Sequence, residues 1–265
     1  MAMQKLWTNY AAFMHTIVRP GERPSVSRFD LLLAGFLTLP LWAGSALAGT
    51  FTPPEGCTGT LTVQMVGCTV SNHYTCAGDV PGDKWRADFG QNGKVFESRI
   101  NYEAEWLESI NFNPDSRDVL EAGAADPASL TDLLALGRDT YDFTTISDDG
   151  KRKHVSGTDS LTGETVVIDG VSLKRTQFDA TATLDDGSHL WHAKGNEFVD
   201  EARRIFVSGK GTWAGADNQD LPYDSTPLLF MLPGDNGFFS TTPLFDCDAT
   251  LSALPGPTLI SARGE

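Results

Sequence analysis

Residues 171–213 read VSLKRTQFDATATLDDGSHLWHAKGNEFVDEARRIFVSGKGTW. Three segments in this stretch, 171–184, 188–199 and 203–213, alternate along a period of two and carry many β-branched and aromatic residues. That pattern predicts strands. Asp185-Asp186-Gly187 separates the first two and supplies the positive backbone angle of a tight reversal. Such short connections force antiparallel pairing, because parallel neighbours need long crossovers.

Working outward, the same grammar recurs. Strands are expected at 140–147, 151–157 and 164–169, punctuated by Asp148-Asp149-Gly150 and Asp169-Gly170. Nearer the start they fall at 58–66, 84–89, 94–101 and 102–110, with a hairpin at Gln91-Asn92-Gly93. Toward the end they fall at 226–232 and 238–246, around the turn Pro233-Gly234-Asp235-Asn236-Gly237. Residues 114–125 read as a polar connection and 216–223 as an irregular stretch. One helix is predicted, with Asp126 as its cap, Pro127 in its first turn, an apolar stripe of Leu130, Leu133, Leu134 and Leu136, and Gly137 as its stop. The expected fold class is all-β, mainly an antiparallel meander forming a strongly curved sheet or up-and-down barrel with one short helix plugging an end. A β-sandwich is the alternative. An outer-membrane barrel is disfavoured by Lys151-Arg152-Lys153 and Lys174-Arg175, which put charge on both strand faces, by four cysteines, and by an end without an aromatic residue.

The first 48 residues read as an address. Leu31 opens the apolar run LLLAGFLTLPLW, Arg19, Arg23 and Arg28 precede it, and Ala46-Leu47-Ala48 follows. This is the pattern of a Sec-type signal peptide, with cleavage expected after Ala48, and the run is too short and interrupted for a membrane span. A single β-rich domain with two disulfides is expected over 49–254, and a flexible tail over 255–265. The whole chain has 265 residues, 20 basic and 35 acidic, for a net charge of −15. The leader holds four of the basic and two of the acidic residues, which leaves 16 and 33. A surface that acidic excludes nucleic acid and anionic lipid as partners, since both are recognised by Lys and Arg. The expected location is the periplasm or exterior of a bacterial cell, with no membrane span once the signal is removed.

Cys57, Cys68, Cys76 and Cys247 form an even set, as an exported chain with two disulfides would have. Of the three pairings, Cys68–Cys76, closing the loop TVSNHYT, and Cys57–Cys247, tying first strand to last, are preferred. A zinc site at Cys68, His73 and Cys76 fits no usual ligand spacing.

Chemistry is hard to place. His189 and His192 fall on opposite faces of a strand unless a bulge intervenes. Ser160 and His154 lack a nucleophile-elbow motif. Glu103 and Glu105 share a strand face but resemble a solvated acidic edge. Asp217, Asn218, Asp220 and Asp224 form a weak calcium candidate in an Asx-rich loop that more simply satisfies its own turns. No other metal and no cofactor is indicated, and catalytic residues are not identifiable. The aromatics give the last signal: Trp191 and Trp213, on neighbouring strands, and Phe206 are the candidate lining of an apolar pocket. The expected function is therefore non-enzymatic binding of a hydrophobic small molecule or an envelope protein on a curved sheet. A periplasmic hydrolase using carboxylates or histidine, and a purely structural envelope module, are the alternatives.

Overall fold

The computed structural model describes residues 49–113 and 115–247. The expected signal peptide at 1–48 and the tail at 255–265 lie outside the described residues. Thirteen strands build one antiparallel sheet: β1 (Cys57–Met65), β2 (Thr69–Cys76), β3 (Lys84–Gly90), β4 (Gly93–Ile100), β5 (Trp106–Phe112), β6 (Asp115–Leu120), β7 (Arg138–Ser147), β8 (Arg152–Ile168), β9 (Val171–Leu184), β10 (His189–Asp200), β11 (Ile205–Ala214), β12 (Asp220–Asp224) and β13 (Pro227–Met231). From β1 to β12 each strand pairs with the one before it, as the short turns require. β13 breaks the rule by pairing with β1 at the far edge. Only Ser225 and Thr226 separate β12 from β13, so the sheet curls until its two edges meet, while the ladder itself stays open between them. The architecture is thus the curved all-β sheet, one sheet and not the two of a sandwich.

Several local expectations are corrected. Residues 69–76 are strand β2 and not a disulfide loop, and 115–120 form β6 where a polar connection was expected. The two short segments 151–157 and 164–169 belong to one 17-residue strand with an irregularity between Leu161 and Thr165. β12 lies inside the supposedly irregular 216–223 stretch, and 238–246 forms no strand beyond a single bridge from Thr50 to Ser240. The helix α1 spans Leu130–Leu136, three residues later than Asp126 predicted. Ser129 caps it by accepting from the Asp132 amide, because Asp126 is already held in a bridge to Asp142. Gly137 ends it as expected.

The disulfides also differ from expectation. They join Cys57 to Cys76 and Cys68 to Cys247. The β1–β2 register explains this, because Cys57 and Cys76 are direct cross-strand partners and Cys68 sits in the turn at the other end of the hairpin. The second bond clasps the C-terminal segment to the outside of the sheet. Side chains there add to a few backbone bonds where a continuous ladder is missing. Gln64, fully buried, donates to the Thr242 carbonyl and accepts from the Leu244 amide. Asn72 donates to the Ser240 carbonyl, and Thr62 accepts from the Phe239 amide. Beneath this segment Phe239 packs with Val70, Tyr74, Ala87 and Phe89. A separate apolar cluster, of Leu61, Val63, Met65 and Phe230 with Phe198, Ile205 and Val207, holds the two edges of the sheet together. The Asp169 carboxylate adds a further tie by accepting from the Phe230 amide at 2.8 Å.

Candidate ligand cavity

The curl of the sheet encloses a cavity of about 590 Å³. Its size comes from a pattern of small residues at inward positions. Tyr141, Gly157, Ala180 and Ala193 stand in register across β7 to β10, so three of four neighbouring strands present almost no side chain there. A Cβ on Gly157 would lie 2.7 Å from the Tyr141 ring, and one on Gly211 would lie 2.8 Å from the Tyr223 ring. Only glycine lets those two rings lie against the wall, and the space they vacate belongs to the cavity.

One side of the lining is aromatic. Trp106, Tyr141, Phe143, Phe178 and Trp191 face the space, with Trp106 edge-on to Phe143 at 5.6 Å between centroids. α1 covers one end as expected. Leu130 and Leu133 reach the cavity and pack on Ala104 and Val199. The helix is tethered by Glu103, which accepts from the Thr131 amide at 2.8 Å and its hydroxyl at 2.7 Å, and which pairs with Arg204 at 3.0 Å. Partial burial opposes ionisation of Glu103, but these hydrogen bonds and the Arg204 charge prevail and hold its carboxyl below the ordinary range.

The other side is polar. Arg86 Nε pairs with Asp88 at 3.2 Å, and Ser71 donates to the same carboxylate. Lys153 Nζ meets Asp118 at 2.6 Å with both side chains under 10% exposed. Arg99 engages Asp83 at 3.2 Å. His73, across from Arg86, stays neutral because burial, aided by the charges of Arg86 and Arg203, pushes its imidazole down to about 3. Two carboxyls have no such partners. Asp159 Oδ1 is buried and meets no hydrogen-bond donor among the described residues. Glu197 lines the same space and, among the described residues, has no hydrogen-bond or ion-pair partner, so only the Arg86 charge favours its ionised form. Burial raises Asp159 to about 8, with the charges of Glu197 and Asp139 adding to the effect. Burial alone raises Glu197 to about 7 against Arg86. Both residues keep some accessible surface, but what they face is the cavity and not bulk water.

The residues expected from sequence fare unequally. Trp191 and Phe206 line the cavity. Trp213 is 3% exposed and packs in the same aromatic cluster, but it stands behind the lining, and its Nε1 meets no acceptor among the described residues. The calcium candidate dissolves into separate contacts. Asp217 accepts from the Gln219 amide, Asp220 lies 3.9 Å from Lys194, and Asp224 is taken by Thr226 and Lys210. Among the described residues no three His, Cys, Asp or Glu side chains gather for a metal ion. Ser160 and His154 both lie on β8, six residues and therefore roughly 20 Å apart, too far for a catalytic pair. His154 instead approaches Asp142 at 3.4 Å. A bulge does fall between His189 and Trp191, but His192 is committed to Asp179 at 2.8 Å. Glu103 and Glu105 do not share a strand: Glu103 tethers α1, and Glu105 accepts from Asn101 at 2.5 Å. Sequence reasoning missed Asp159, Glu197, Arg86 and Tyr141, and it considered His73 only as a zinc ligand beside Cys68 and Cys76, both of which are in disulfides. The one visible signal of the missed residues was polar residues at inward parity on otherwise apolar strands.

No protein-family model, curated protein or solved structure matches this chain. The chemistry of the cavity therefore rests on its own residues. An aromatic wall offers dispersion and face contacts to an apolar body, and the unpartnered carboxyls offer a polar anchor. Among the described residues no helix is long and apolar enough to cross a membrane, and the two disulfides fit an oxidising compartment.

Proposed function

We propose that this protein is an exported, non-enzymatic binder that carries a small, largely apolar molecule inside its curved sheet. The observation that supports the reading most is the cavity itself. Its volume of about 590 Å³ lies within the range of small-molecule sites, and its walls combine aromatic rings with a few convergent polar groups. Folding alone gains nothing from keeping Ala180 and Ala182 at inward positions where larger apolar side chains would fill the space. Export to the periplasm or exterior belongs to the same reading, supported by the leader pattern and the disulfides. Hydrolysis is the weaker reading, because among the described residues no histidine pairs with a cavity carboxylate.

The test is fluorescence titration of the full chain with N-phenylnaphthylamine, a neutral apolar dye. Saturable one-to-one enhancement is expected, and Ala180→Trp, which fills the space, is expected to abolish it while circular dichroism stays unchanged. Absence of saturable binding by the unaltered protein would overturn the proposal.

A further inference from the structure

The pairing of charges around the cavity is lopsided. Every cationic side chain of the lining already has a counter-charge or acceptor: Arg86 has Asp88, Lys153 has Asp118, Arg99 has Asp83, and Lys84 donates to the Gly82 carbonyl at 2.8 Å. The carboxyls do not balance in the same way. Asp159 and Glu197, on β8 and β10, line the space without a cation among the described residues, and Asp159 Oδ1 is buried with no donor. Buried ionisable groups in native proteins are ordinarily paired, so two carboxyls without partners beside an open volume mark the place where a partner from outside would sit. The aromatic wall continues directly from them, since Asp159 is the cross-strand partner of Phe178. Electron-rich ring faces also favour a cation over an anion.

We infer that the cavity selects an amphipathic amine, with its ammonium group between the Asp159 and Glu197 carboxyls and its apolar body against Phe178, Trp191, Phe143 and Trp106. This rests on the ligand-carrying reading above and narrows it to a chemical class. An ammonium entering the site would be met by at least one ionised carboxylate, and the proton that carboxyl carried in the empty cavity would leave to solvent. An anionic ligand would instead have to lie against two acids, with the cations on the far wall already engaged.

The experiment is displacement of N-phenylnaphthylamine by three probes of the same ring: naphthylmethylammonium, naphthylmethanol and naphthoate. The ammonium is expected to bind at least tenfold more tightly than the alcohol, and naphthoate more weakly than either. In the near-isosteric Asp159→Asn/Glu197→Gln double variant the ratio of ammonium to alcohol affinity is expected to shrink to less than twofold. Calorimetry of the unaltered protein in two buffers of different ionisation enthalpy is expected to show proton release with the ammonium and none with the alcohol, a readout independent of how well the variant folds. Equal affinity for ammonium and alcohol, or preference for naphthoate, would overturn the inference and leave the ligand-carrying reading intact. Failure of every probe and of the dye would overturn both.

Discussion

Asp139 and Asp159 stand directly opposite each other across the β7–β8 ladder, two acids in register on the inward face. Like charges so placed destabilise a sheet when both are ionised. Burial raises the Asp159 carboxyl, and it raises Asp139 too, with Asp126 and Asp132 adding to the effect. The fold avoids the repulsion by keeping on Asp159 a proton that water would remove.

That arrangement fixes a pH dependence. In the unfolded chain Asp159 and Glu197 titrate near the ordinary value of about 4. Folded, they titrate at about 8 and about 7. Between those limits the folded state holds protons the unfolded state has lost, so stability declines with rising pH and levels off above about 8. His73 acts in the opposite sense, because its folded value of about 3 means stability is gained as pH rises toward its ordinary value of about 6.5. Above about 6.5 only the carboxyls still titrate. The unfolding free energy from urea titration is expected to fall between about pH 6.5 and 8.5, by an amount on the order of 1–3 kcal/mol, and the midpoint with it. The Asp159→Asn/Glu197→Gln variant should remain flat and be the more stable protein at the upper end. A midpoint that does not move in the unaltered protein would contradict the assignment.

Lys153 and Asp118 form the other buried electrostatic unit, with Ser147 also donating to Asp118 at 2.5 Å. Removing one partner strands the other charge, so Lys153→Met is expected to cost about 3–5 kcal/mol in equilibrium unfolding. Replacing both, Lys153→Met with Asp118→Leu, should recover most of that loss, since the desolvation penalty disappears with the pair. If the double variant proves as unstable as the single one, the pair serves packing and not charge.

Gly157→Ala places a methyl group against the Tyr141 ring and the Asp179 carbonyl, both 2.7 Å away. The carbonyl belongs to the ladder and cannot yield, so the ring must swing into the cavity. A loss of about 1–3 kcal/mol is expected from such overpacking. Dye binding should weaken at least tenfold in the same variant, which distinguishes it from a remote destabilising change.

The two disulfides should differ in weight. By the loop-entropy model, the bond between Cys57 and Cys76, 19 residues apart, restricts the unfolded chain by about 3 kcal/mol, and that between Cys68 and Cys247, 179 apart, by about 5 kcal/mol. Serine substitution of each pair, followed by thermal unfolding, is expected to lower the midpoint more for the second. Reversed ranking would mean that the C-terminal clasp is held chiefly by its hydrogen bonds.

The strands of the second half were legible because their outward residues are polar, their inward ones apolar, and their turns end in Gly. β2 was not legible for a definite reason. Its inward His73 faces a polar part of the cavity, Ser71 beside it donates to Asp88, and its outward Asn72 binds the C-terminal segment, so hydrophobic alternation vanishes. β6 was obscured in the same way by Asp118, whose burial is made tolerable only by a lysine 35 residues away. Residues 238–246 show the converse: they alternate like a strand but are held by side chains and scattered backbone bonds instead of by a continuous ladder. In the cavity, Trp191 and Phe206 could be read from their strands, whereas Asp159 and Glu197 could not, because a charged residue at inward parity looks like a solvated one until the curl of the sheet is known.

The pairing of β13 with β1 also imposes an order in time. Thr62 finds Met231 as its partner across the longest chain separation in the ladder. Until the last strand and the clasp that follows it have been synthesised, β1 presents a bare edge, and Val70, Tyr74 and Phe89 lack their cover. Contacts between such distant residues form slowly, and an unpaired edge invites association with other chains. The nascent protein therefore stays adhesive until residues 227–247 arrive, and their arrival is the step that ends that stage.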